Sequence, residues 1–183
     1  MAQVTERIRD YLTSTTIKHA QLMSMLSEFL AVEQGGQKLY QKALAQVRDP
    51  DVVKRFQTFY EQTVKHEQIL TRIISELGGD PTRISPTARI AASKAQELLA
   101  TMERTDGLTP AQIELNAMEN ILLAETKDHA DWELLGKIAR QTTEPQLSST
   151  LKPAVDEVES EEEDHLNWTG SRMAELSMKA LSE

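Results

Sequence analysis

Residues 151–176, LKPAVDEVESEEEDHLNWTGSRMAEL, carry an apolar stripe at helical spacing with two ionisable residues at its centre. Steps of three and four keep helical side chains on one face. Followed that way, the stripe runs Leu151, Val155, Val158, Glu162, His165, Thr169, Met173 and Leu176. Glu162 and His165 stand at i and i+3, adjacent on the side that points inward. Glu157, Glu159, Glu161, Glu163 and Asp164 surround them and would also suit a solvated acidic helix. The stripe favours the inward placement.

The same walk finds three more such faces. One runs Leu26, Leu30, Glu33, Gln37, Tyr40, Leu44, Val47; a second runs Phe56, Phe59, Thr63, His66, Leu70, Ile73, Leu77; a third runs Met118, Leu122, Glu125, His129, Trp132, Leu135. Each has an ionisable residue near its middle. An isolated buried charge is costly, and several carboxylates meeting at one depth repel one another unless a cation lies between them. A metal ion, or a pair, resolves this. The halves also echo each other: Glu33 precedes Tyr40 by seven residues and Glu125 precedes Trp132 by seven, which supports a two-fold site. Tyr40 and Trp132 are read as packing residues, and His19 as structural or exposed.

The breakers divide the chain. An amphipathic opening (Val4, Ile8, Leu12) and the cluster Thr13–Thr16 precede a long helix from about Ile17 to Val47. Asp49-Pro50 opens a second helix that ends at Gly78-Gly79. The connection from 80 to 108 contains a shorter helix with Ile90, Ala91, Leu98 and Met102, and is long enough to travel the length of a bundle. Thr109-Pro110-Ala111-Gln112 reads as a capping box for a third long helix reaching about Arg140. The fourth is expected over roughly 150–180, with Pro153 in its first turn. The expected fold is all-α: four long helices, a pair, a crossover with a short extra helix, and a pair, in one domain over 1–183 with an N-terminal extension at 1–16.

Composition narrows the chemistry. A net charge of -9 disfavours nucleic acid and anionic lipid as partners. The absence of cysteine removes disulfides, thiolate metal sites and cysteine nucleophiles, so a bound metal must use oxygen and imidazole donors. Charges at Glu6, Arg7, Arg9 and Asp10 interrupt any leader-like apolar core, and no apolar run reaches membrane-spanning length. The expectation is a cytoplasmic protein.

With these residues the chain resembles the ferritin-like di-iron carboxylate superfamily, which includes bacterioferritins, rubrerythrins and manganese catalases. Its pattern is a Glu on each of two helices and Glu-x-x-His on the other two. Glu33 with Tyr40 looks like the first helix, Glu125 like the third, and Glu162-Glu163-Asp164-His165 with Trp168 like the fourth. The second departs: His66 fits, but Thr63 stands where Glu is expected. Glu67 lies about 100° round the helix from His66 and Glu61 is worse placed. His129, on the Glu125 stripe, is the candidate for the missing ligand. The resemblance implies metal ligation by Glu33, His66, Glu125, Glu162 and His165, with His129 as a sixth ligand or a supporting group. It also implies an iron centre, with manganese compatible, that is dinuclear and reacts with oxygen or peroxide as an oxidase, peroxidase or catalase would, or that handles metal. A homodimer or higher homo-oligomer is expected. Catalytic residues are not assigned. The competing expectations are a metal-poor bundle acting through protein contacts, and a ferritin-type storage cage, which the crossover insert and N-terminal extension disfavour.

Overall fold

A computed structural model describes residues 17–182 and, over them, an all-helical chain of five helices. They are α1 (His19–Leu44), α2 (Pro50–Glu76), α3 (Pro86–Met102), α4 (Pro110–Gln141) and α5 (Pro145–Ser182). None of the described helices is long and apolar enough to cross a membrane. The Thr13–Thr16 helix start and the extension over 1–16 lie outside the described residues.

Local chemistry sets the ends. The Asp49 carboxylate caps α2 by accepting from Asp51 N and Val52 N, and Pro50 follows where a missing N–H costs nothing. At the other end Gly79 N reaches Ile74 O and Gly78 N reaches Ser75 O, a Schellman motif that needs Gly78 at φ 77. Ser85 caps α3, and Thr109 with Gln112 forms the expected capping box of α4.

The last helix departs from expectation. It opens at Pro145, so Pro153 lies inside it and not in its first turn. Pro145 already supplies the preferred first residue, and the interior proline is tolerated on an exposed side, where water can reach the freed Ser149 carbonyl.

Two apolar clusters fill the interior. One gathers Leu26, Leu70, Ile73, Trp132, Leu135 and Leu151, and the other Tyr40, Phe56, Phe59, Met102, Met118 and Ile121. The helix α1 runs from the first cluster to the second, α2 and α4 run back, and α5 runs outward again. The shorter α3 packs on α1 and carries the chain from the end of α2 to the start of α4. Between the clusters every long helix interrupts its apolar face with polar residues. Those interruptions lie at one level.

Candidate metal centre

Glu33, His66 and His165 are fully buried, Glu162 is 1% exposed and Glu125 3%. They form two groups of three in which each residue offers one ligand atom within 4.8 Å of the others: Glu33, His66 and Glu162, then Glu125, Glu162 and His165. Glu162 is common to both. Of the residues singled out by sequence, His129 alone stays outside these groups. It is partly exposed, and Asp128 beside it is buried at 4%.

The reason is rotational. From Glu125 a step of three turns a side chain about 60° one way round the helix, and a step of four about 40° the other. The buried face of α4 takes Ile121 and Asp128 over Leu122 and His129. Glu67 and Glu61 also face away. Glu67 accepts from Gln34 and Gln37, and Glu61 accepts from Gln57.

Hydrogen bonds hold the donors in a reciprocal arrangement. Tyr40 O–H donates to Glu125 Oε1 at 2.8 Å, and Trp132 Nε1–H donates to Glu33 Oε1 at 2.8 Å. Each aromatic residue thus holds the acid of the opposite helix, a polar role beyond the packing expected of them. The imidazoles are crossed likewise. His66 Nε2 lies 2.8 Å from Glu161 Oε2, and His165 Nε2 lies 2.9 Å from Gln62 Oε1. Both oxygens accept only, so both Nε2 atoms carry the hydrogen.

That choice leaves Nδ1 of each ring as a bare lone pair facing other acceptors. His66 Nδ1 stands 2.9 Å from Glu162 Oε1 and 3.8 Å from Glu33 Oε1; His165 Nδ1 stands 3.2 Å from Glu125 Oε2 and 3.6 Å from Glu162 Oε1. Two facing acceptors repel unless a proton or a cation sits between them. The deficit is plain in the unpartnered buried atoms: Glu33 Oε2, His66 Nδ1, both oxygens of Glu162, and Asp128 Oδ1.

Electrostatics tell the same story. Burial, then the charges of Glu125 and Glu33, push the Glu162 carboxyl well above its usual range. Burial and the charge of Asp128 do the same to Glu33, against the hydrogen bond that it accepts from Trp132. Asp128 is raised by burial and by Glu162 and Glu125. Burial lowers His66 despite the pull of Glu161, which keeps the ring neutral. Glu161 itself is lowered: the hydrogen bonds from His66 and Lys65 outweigh its partial burial. Without a cation the cluster must hold protons. A cation would replace them.

The chain is therefore an all-helical protein whose buried carboxylate and histidine groups are compatible with a metal site. Residues 18–124 match the family described as a domain of unknown function, DUF892, and the chain belongs to that family. No curated protein and no solved structure matches it. Sequence reasoning missed Asp128, Glu161 and Gln62. Asp128 was within reach as the alternative step from Glu125, whereas Glu161 and Gln62 carry no signal apart from preceding Glu162 and Thr63.

Proposed function

We propose that this chain is a ferritin-like four-helix bundle, one domain over 1–183, holding a pair of iron or manganese ions for redox chemistry on oxygen or peroxide, or for metal handling. The observation that carries the reading is the set of buried, unpartnered oxygen and Nδ1 atoms converging from four helices, with Glu162 between both groups. Hard carboxylates with neutral imidazoles suit such ions. Glu33, His66, Glu125, Glu162 and His165 are the ligands, and Asp128 takes the role first given to His129. It restores the fourth carboxylate that Thr63 withholds.

When bound, the metal pair supplies Lewis acidity and an exchangeable electron store. The chain supplies the rest. Glu161 and Gln62 fix the hydrogen of each imidazole on Nε2, so that Nδ1 points at the metal position. Tyr40 and Trp132 each occupy one acid oxygen and set the carboxylate orientation. The apolar clusters above and below exclude bulk water. The same reading extends to a cytoplasmic homodimer or higher homo-oligomer that takes metal ions and a small oxidant as its partners.

Metal analysis of protein purified without chelator tests this reading. Two ions per chain are expected in the wild type, and their loss in a Glu162→Ala, His165→Ala double variant. Equal metal content in both proteins would count decisively against it.

A further inference from the structure

The two halves of the centre match in their inner contacts. Each three-ligand group has one acid of its own, Glu33 or Glu125, one imidazole, His66 or His165, and a share of Glu162. Glu33 and Glu125 each accept one buried hydrogen bond of 2.8 Å, from Trp132 and from Tyr40. The halves differ behind the rings. Gln62 and Glu161 stand four residues before His66 and His165 respectively, and each reaches across to the ring of the other helix. His66 Nε2 is therefore backed by a carboxylate at 2.8 Å, and His165 Nε2 by an amide oxygen at 2.9 Å. The lengths are alike and the charges are not.

The charge on Glu161 is anchored. Lys65 Nζ lies 3.2 Å from Glu161 Oε1, which leaves Oε2 for the ring, and 3.1 Å from Glu157 Oε1. One ammonium shared by two carboxylates leaves the trio with a net negative charge, so Lys65 steadies Glu161 without cancelling it. At 24% exposure Glu161 is only partly screened by water.

Both the charge and the chemistry of the backing group act on Nδ1, the atom facing the metal position. A hydrogen bond to a carboxylate is roughly twice as strong as one to a neutral acceptor, and it makes His66 the more basic donor. A carboxylate also only accepts, which fixes the His66 hydrogen on Nε2 before any cation arrives. Gln62 presents its oxygen to His165, but an amide can turn its N–H group to the ring instead. The hydrogen then moves to Nδ1, which lies 3.2 Å from Glu125 Oε2 and can donate to it. His165 must give up that arrangement to bind a cation, and the carboxylate denies it to His66.

We propose that the position bounded by Glu33, His66 and Glu162 is the high-affinity one of the pair and fills first, and that Glu161 is the positioning residue that makes it so. The inference rests on the metal reading above. Loss of a group that backs a ligating imidazole weakens metal binding about 10–100-fold, and exchange of a carboxylate for an amide belongs at the lower end of that range.

Titration calorimetry of metal-free protein with manganese tests the order without any turnover. The wild type should bind in two steps whose Kd values differ by about tenfold or more. Glu161→Gln should weaken the first step by about tenfold and bring the two together, and Gln62→Glu should tighten the second by a similar factor. The double variant Glu161→Gln, Gln62→Glu should reverse the order, which a purely structural role for Glu161 would not do. Anomalous peaks from crystals given one equivalent of manganese identify the position filled: that of His66 in the wild type, that of His165 in the double variant. Equal occupancy, the opposite order in the wild type, or an order unmoved by the double variant would each overturn the assignment. Should the Glu161 variants not fold, Gln62→Glu alone decides, since an unchanged second step contradicts the proposal. A wild type that binds no manganese refutes the metal reading itself, whereas two ions bound without an order of filling refute this inference alone.

Discussion

Glu162 belongs to both three-ligand groups, whereas His66 belongs to one. Substituting them should therefore have unequal effects on how much metal stabilises the fold. With free metal at about 100 times its dissociation constant, each bound ion adds about 2.7 kcal/mol to the unfolding free energy. Two ions add about 5 kcal/mol, and for a chain of 183 residues each kcal/mol moves the Tm by about 2–4 °C. Wild-type protein should accordingly melt about 10–20 °C higher with saturating manganese than with chelator. His66→Ala should retain about half of that shift, and Glu162→Gln almost none. Calorimetry with and without metal, paired with metal analysis of each sample, makes the comparison. A Glu162→Gln protein that gains as much from metal as the wild type would refute the shared-ligand geometry.

Burial and like charges hold the carboxyls of Glu162, Glu33 and Asp128 above their ordinary range. An acid whose folded pKa is raised stabilises the fold below its unfolded pKa and loses that contribution as pH climbs to the folded value. Metal-free wild type should thus lose Tm as pH rises above about 4, the ordinary carboxylate range. Glu162→Gln should show a shallower slope and the higher Tm at the alkaline end, and parallel curves would contradict the assignment. Asp49 caps α2 and also receives Arg172 from α5 at 2.8 Å. Asp49→Ala should cost about 1–2 kcal/mol, most of it the lost cap because the ion pair is partly exposed, and an unchanged denaturant midpoint would rule that out. Pro153→Ala should raise the unfolding free energy measured by denaturant, by up to about 3 kcal/mol, because the helix gains an N–H able to reach the Ser149 carbonyl; a lower midpoint would show that the proline is needed where it stands.

What could be read from sequence, and what could not, follows from how much each signal depends on the partner helix. The capping box at Thr109, the Asp49-Pro50 start and the Gly78-Gly79 stop are local, and the helices begin and end at or near them. The α2 stripe through Phe56, Phe59, Thr63, His66, Leu70 and Ile73 is buried throughout, because large apolar residues on both sides leave one path round the helix. On α4 two paths compete: Ile121 and Leu122 are equally apolar, and Asp128 and His129 equally polar. Only packing against α1 and α5 decides the rotation, and it turns His129 toward solvent and Asp128 inward. Pro153 misled for a related reason, since the stripe from Leu151 onward continues back one turn to Leu147, in a helix that opens at Pro145. The crossed hydrogen bonds of Tyr40 and Trp132 span 85 and 99 residues. The seven-residue spacing pointed to a repeat, but which acid each aromatic residue touches is a property of helix order.

Anomalous scattering from a crystal soaked in manganese or grown with iron, collected across the absorption edge of that metal, tests the central claim most directly. The account requires two peaks per chain, one bounded by Glu33, His66 and Glu162 and the other by Glu125, Glu162 and His165, with His Nδ1 as the nitrogen ligand in each. A cluster without a peak, or peaks confined to the exposed acids of α5, would contradict it.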